Sequence, residues 1–303
     1  EHGFSGEFNA GEYVNDSLYD GSIPIVSLYG ENKELKNSYL EDVDIVIFDI
    51  QDVGVRFYTY ISTLHYVMEG CARNNVKLIV LDRPNPHVNY VDGPVLENEY
   101  TSFVGMHPVP IVYGMTIGEY ALMINGEGWL DDNLKSNLRI VKNITYSRSS
   151  VVNISIAPSP NLRTMNAIFL YPSLCLFEGT IISVGRGTNH PFEIYGSPFL
   201  KTHFSFRPIS SIGSKYPKYQ NKLCYGFDLK NLFASNKQVQ IDKINIDYLI
   251  TAYALTPLEY RSSFFNNFFN KLAGNSSLKK HIINNVPESK IRASWQKDIE
   301  VFL

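Results

Sequence analysis

Residues 44–50 read D-I-V-I-F-D-I, an apolar run closed by an acid. That pattern is expected of a strand buried in a parallel sheet whose C-terminal end opens into a site. After residues 53–60, Leu64, Val67, Met68 and Cys71 recur at helical spacing within 61–74, and Lys77–Leu81 (K-L-I-V-L) reads as the next buried strand. Strand, helix and strand in that order predict a βαβ unit. Its second strand also ends in an acid, Asp82, ahead of the turn Arg83-Pro84-Asn85-Pro86. A shorter strand is expected at 25–28, and Thr116 with Glu119 three residues on predicts a capping box opening a helix that runs to Asn125. Alternation of this kind points to an α/β fold, Rossmann-like with a mostly parallel sheet, rather than to all-β or all-α. No G-x-G-x-x-G follows any of these strands, so no dinucleotide cofactor is expected.

The texture changes in the second half. Strands are expected at Leu138–Val141 and at 151–157, followed by a bend at Pro158 and Pro160, and loops are expected to dominate until a helix at 246–253. The tail 261–303 reads as helical, with Phe264, Phe265, Phe268, Phe269 and Leu272 as a core-packed stripe. The change of texture places a domain boundary near residue 150, dividing the chain into 1–150 and 151–303.

With 303 residues, 44% of them hydrophobic, the chain can bury a sizeable core. Its 27 Lys and Arg stand against 30 Asp and Glu, so no basic field draws it to nucleic acid, and no run is long and apolar enough to span a bilayer. Cys71, Cys175 and Cys224 form neither a disulfide framework nor a zinc pattern. The 20 Tyr and 18 Phe suit a sugar-stacking cleft as well as an aromatic core. The chain opens at Glu1-His2-Gly3 without an initiator Met, so further native residues are expected before it.

Polar residues with possible chemistry collect at strand ends and glycine-rich turns, where an α/β sheet places its ligands. The candidate carboxylates are Glu1, Asp49, Asp52, Asp82 and Glu178; glycoside hydrolysis would need one acid and one group to handle the cationic anomeric centre. Asp49 and Asp82 could equally brace the turns after their strands. Glu178 would be costly to bury unless paired, with Arg186 as one partner. Arg56, Arg163 and Arg186 could grip an anionic substrate group bidentately or form structural ion pairs. Arg186 lies between Gly185 and Gly187, where absent side chains would let a ligand approach the backbone. His2 with Asp49 and Asp52 matches no ligand spacing such as H-E-x-x-H, so no metal is expected, and the lack of a G-x-S-x-G elbow argues against a serine hydrolase.

Taken in order, Glu1-His2-Gly3-Phe4, residues 48–60, 81–86, Asp92-Gly93-Pro94-Val95-Leu96, residues 113–119 and residues 177–188 closely resemble the NamZ-type exo-β-N-acetylmuramidases. Lys271-Leu272-Ala273-Gly274 and Ser294-Trp295 are similar to the family's closing segment. The resemblance implies a Rossmann-like domain joined to a smaller α+β C-terminal domain that closes a cleft. It implies release of N-acetylmuramic acid from non-reducing ends of peptidoglycan fragments, without a cofactor, by a protein exported to the periplasm, cell envelope or exterior. Relative to the family pattern, the first strand and its loop before E-H-G are lacking. The resemblance makes Glu1 the leading catalytic residue; the residue chemistry adds Glu178. His2, Asp49, Asp52, Arg56, Tyr58, Asp82, Asn85, Asn161, Arg186 and Thr188 are the substrate-binding candidates. A carbohydrate-binding protein without turnover and a hydrolase of another amino-sugar are the competing readings.

Overall fold

The computed structural model describes residue 8 and residues 15–30, 33–150, 152–233 and 241–303. Near its start, Asp20 and Gly21 both sit at positive φ, 51° and 70°, as the central pair of a type I′ turn requires. Ser22 N donates across that turn to Tyr19 O at 3.2 Å. The result is a hairpin of β1 (Ser17–Tyr19) and β2 (Ile23–Ile25). The strand expected at 25–28 is thereby shifted: pairing with β1 ends at Ile25, and residues 26–28 are irregular.

The predicted βαβ unit is present. Strand β3 (Ile45–Phe48) leads through α1 (Tyr60–Arg73) to β4 (Lys77–Leu81), and α2 (Ile117–Glu127) leads on to β5 (Leu138–Val141). The three strands pair in parallel in the order β3-β4-β5. Leu64, Met68 and Cys71 of α1 are fully buried in one core with Leu78 and Val80 of β4 and Tyr120 and Ile124 of α2. Thr116 caps α2 as expected: its Oγ1 accepts from Glu119 N at 3.2 Å and its own N–H donates to Glu119 Oε2 at 2.9 Å.

This half also buries imidazoles. His65 Nδ1 and His107 Nε2 lie 3.0 Å apart, and the other nitrogen of His107 meets Tyr120 OH at 3.0 Å. His87 Nδ1 meets Val53 O at 2.7 Å. Burial pushes His107 down to about 3 and His87 down to about 4, from an ordinary 6.5. Both groups take a proton in the unfolded chain well before the folded one does. Their contribution is complete above pH 6.5 and is lost as the pH falls toward those folded values, at ~1.4 kcal/mol per pH unit for each ring. Urea denaturation between pH 6.5 and 5 is expected to show unfolding taking up protons, rising to about two from His87 and His107 by pH 5, with the similarly lowered His65 adding to them; a flat profile there would refute the assignment.

In the second half the structure departs from the expected loops. The chain carries α3 (Met165–Leu174) and then a 3₁₀ turn, Cys175–Gly179. It continues through β6 (Ile194–Ser197), β7 (Phe204–Phe206) and β8 (Cys224–Asp228), an antiparallel sheet in the order β6-β8-β7. Residues 152–157, expected as a strand, are irregular, and Ile156 there is largely exposed. The tail is helical but broken: α4 (Asp247–Leu255), α5 (Leu258–Arg261), α6 (Phe269–Ala273), α7 (Ser277–Ile283) and α8 (Glu288–Phe302). Gly274 at φ 81° ends α6, and Asn285 at φ 52° precedes the Pro287 that opens α8. The large core of this half takes in Val53, Val55 and Phe57, so the segment after β3 packs with α3, α4 and α6 rather than under its own sheet.

Candidate active site

A cavity of about 150 Å³ is lined by Phe57, Tyr58, Thr59 and Asn161 and, further along the chain, by Glu178 and Arg186. Tyr171, Phe192 and Phe268 complete much of an aromatic wall. The rings brace one another edge to face: Phe57 on Tyr171 at 5.5 Å and Tyr171 on Phe192 at 5.0 Å between centroids. Tyr58 OH donates to Pro158 O at 2.6 Å beside the cavity.

Glu178 faces this space because its turn has no room on the other side. A side chain at Gly179 would meet Phe269 Cα at 2.5 Å, so the turn rests directly on the start of α6. Thr180 closes it, with N and Oγ1 both donating to Phe177 O at 2.9 and 2.8 Å. Lys218 supports it from below: its Nζ donates to Phe177 O, Thr180 O and Ile182 O at 3.5, 2.6 and 3.0 Å. Nothing in the local sequence around Lys218 signalled that role. Burial lowers the Lys218 pKa, with the Glu178 charge opposing.

Arg186 Nε donates to Glu178 Oε1 at 3.1 Å, and its guanidinium lies over the Phe192 ring at 5.0 Å. Both flanking glycines have positive φ, 76° and 77°, but their role differs from the expected one. A side chain would meet Ile194 at 2.5 Å from Gly185 and Ile209 O at 2.4 Å from Gly187. They admit neighbouring chain, not a ligand. Asn161, which lines the cavity, is anchored by Nδ2 donating to Gly213 O at 2.8 Å.

The other candidates serve the framework. Arg56 is fully buried and donates to Pro94 O, Val109 O, Leu272 O and Ala273 O at 2.7–3.0 Å; burial lowers it to about 9 and leaves it charged at neutral pH. Asp82 accepts from Thr116 Oγ1 at 2.9 Å and Gly118 N at 2.8 Å, anchoring the N-terminus of α2. Asp49 pairs with Arg83 at the surface, at 2.5 Å. Asp52 is buried, accepting from Gly54 N and Tyr113 OH. Asn85 lies under Gly54, where a side chain would sit 2.0 Å from its Oδ1, and bonds Met115 O and His87 N. Thr188 Oγ1 donates to Gly185 O within its own turn. Arg163 Nε donates to Pro160 O at 2.6 Å, on the surface. Each of these contacts is made with the protein's own chain. Phe268 moves the other way: expected in the core, it is partly exposed and lines the cavity. Glu1 and His2 lie outside the described residues. Among the described residues no group of three or more His, Cys, Asp or Glu could hold a metal ion, and no helix is long and apolar enough to cross a membrane.

Comparison with known proteins places this geometry. Residues 1–166 match the family described as exo-beta-N-acetylmuramidase NamZ, N-terminal, and residues 169–303 match its C-terminal counterpart. The peptidoglycan beta-N-acetylmuramidase NamZ of Bacillus subtilis (strain 168) is 37% identical across all of this chain and 76% of its own length. A crystal structure of a DUF1343 family protein from Bacteroides fragilis NCTC 9343 is similar with a TM-score of 0.86 at 44% identity, over 92% of this chain and 77% of that one. A second protein of that family and organism gives 0.75 at 26% identity, over 93% and 79%.

Proposed function

We propose that this chain, which belongs to the NamZ family and carries both of its parts, hydrolyses the β-glycosidic bond of a terminal N-acetylmuramic acid in peptidoglycan fragments. The observation that carries the reading is the Glu178–Arg186 pair set among aromatic rings in one cavity. Aromatic faces suit the apolar faces of a sugar ring, the Asn161 amide suits a sugar hydroxyl, and a carboxylate is required beside the anomeric centre as it becomes cationic. In this reading Glu178, held by Arg186 Nε, is that carboxylate, and another group supplies the proton for the leaving oxygen. Glu1, first in the family's E-H-G segment, fills that role in this reading. In this reading the enzyme is exported and meets its substrate in the periplasm, cell envelope or exterior.

The test is turnover of paired chromogenic substrates. The protein is expected to release chromophore from an N-acetylmuramide and at least roughly tenfold more slowly from the matching N-acetylglucosaminide. Glu1→Gln, which preserves shape and removes the titratable proton, is expected to abolish release with no loss of melting temperature. Preference for the glucosaminide would assign a different amino-sugar, and saccharide binding without any turnover would leave a binding protein.

A further inference from the structure

Resting on that reading, we infer that the outer edge of the Arg186 guanidinium binds the lactyl carboxylate of N-acetylmuramic acid, which makes Arg186 the residue that selects muramic acid over glucosamine. A guanidinium offers two edges to carboxylates, one built on Nε and one on its two terminal nitrogens. Glu178 takes the Nε side at 3.1 Å, and among the described residues Nη1 and Nη2 donate to nothing. The side chain stays partly open to solvent, and the residue lines the cavity. Stacking on Phe192 and the bond to Glu178 hold the group before a ligand arrives.

The other cations nearby cannot do this work. Arg56 spends both terminal nitrogens on four carbonyls, and the Lys218 ammonium is saturated by three. Lys218 instead adds positive charge behind the pair. Among the lining residues Glu178 and Arg186 cancel, and the buried Lys218 ammonium behind them adds one positive charge, which favours an anionic ligand. The two sugars differ by the lactyl ether alone, so a neutral pocket would discriminate weakly, whereas a bidentate charged pair forms only with the acid.

The deciding comparison needs no variant at first. Binding of N-acetylmuramic acid and of its lactyl methyl ester to the full chain is measured by calorimetry. The ester keeps the shape and loses the charge, and it is expected to bind roughly ten- to a hundredfold more weakly. In Arg186→Met the acid and ester are expected to bind alike, with the ester's affinity close to its wild-type value. Arg186→Lys is expected to restore part of the preference as a point charge without the fork. Melting temperatures identify any variant that fails to fold, in which case the wild-type acid and ester arms still decide. Equal binding of acid and ester by the wild-type protein, or binding of neither, overturns the proposal, as does an equal loss of both ligands in a folded Arg186→Met. Absence of turnover with the acid preference intact would instead refute only the hydrolase reading.

Discussion

Glu178→Gln is expected to lower kcat on a chromogenic muramide by roughly a hundred- to ten-thousandfold while the protein still folds. The amide keeps the size of the acid and can still accept from Arg186 Nε, so the turn on α6, the Lys218 contacts and the aromatic wall have no reason to move. What disappears is the negative charge that the proposed mechanism sets beside the anomeric centre. The fall should therefore lie in kcat more than in KM. The pair is part-exposed, so stability should change by no more than about 1 kcal/mol. Activity within a few-fold of the parent would exclude Glu178 from the chemistry.

Arg56→Met is expected to produce the largest stability loss of any single substitution considered, about 3–5 kcal/mol by urea denaturation. Four carbonyls that now share one guanidinium would be left buried without donors, and methionine supplies none. Arg56→Lys should recover little, because an ammonium has three donors on one atom and cannot span both pairs of carbonyls. The folded fraction should retain its KM, since both terminal nitrogens are already taken up by carbonyls. A variant of near-normal stability with a raised KM would return Arg56 to the substrate site.

The parts of the fold that could be read directly were those where one periodicity operates at a time. The four apolar positions of α1, the K-L-I-V-L strand and the Thr116 capping box each report a purely local rule, and each is found in place. Helix α3 escaped because it is buried on nearly every side, and M-N-A-I-F-L-Y-P-S-L then shows no polar face and carries an internal proline. Strands β6 and β8 escaped because each has a glycine at its centre. Gly196 and Gly226 face one another so closely that a side chain on either would strike the opposing backbone at 2.2 or 1.8 Å. Short strands built for close approach lack the alternation that marks a strand. At the site, Glu178 and Arg186 were legible as a pair because they are near in sequence. The role of Arg56 was not, since its partners lie up to 217 residues away, and a buried guanidinium looks like any other arginine until its carbonyls are placed.

Those separations also bear on the order of assembly. Arg56 reaches Leu272 and Ala273 across 216 and 217 residues, and Asp92 reaches Arg292 and Trp295 across 200 and 203. Closing a loop of that length costs roughly 5 kcal/mol in chain entropy before any contact repays it. The βαβ unit can form as soon as it is synthesised, yet its arginine lacks half its acceptors until the last helices emerge. Phe268 and Leu272, which complete the cavity wall, arrive with the same segment. The nascent protein is therefore expected to pass through a stage with a formed sheet and no finished cleft, and catalytic competence to wait on residues 268–273 and α8.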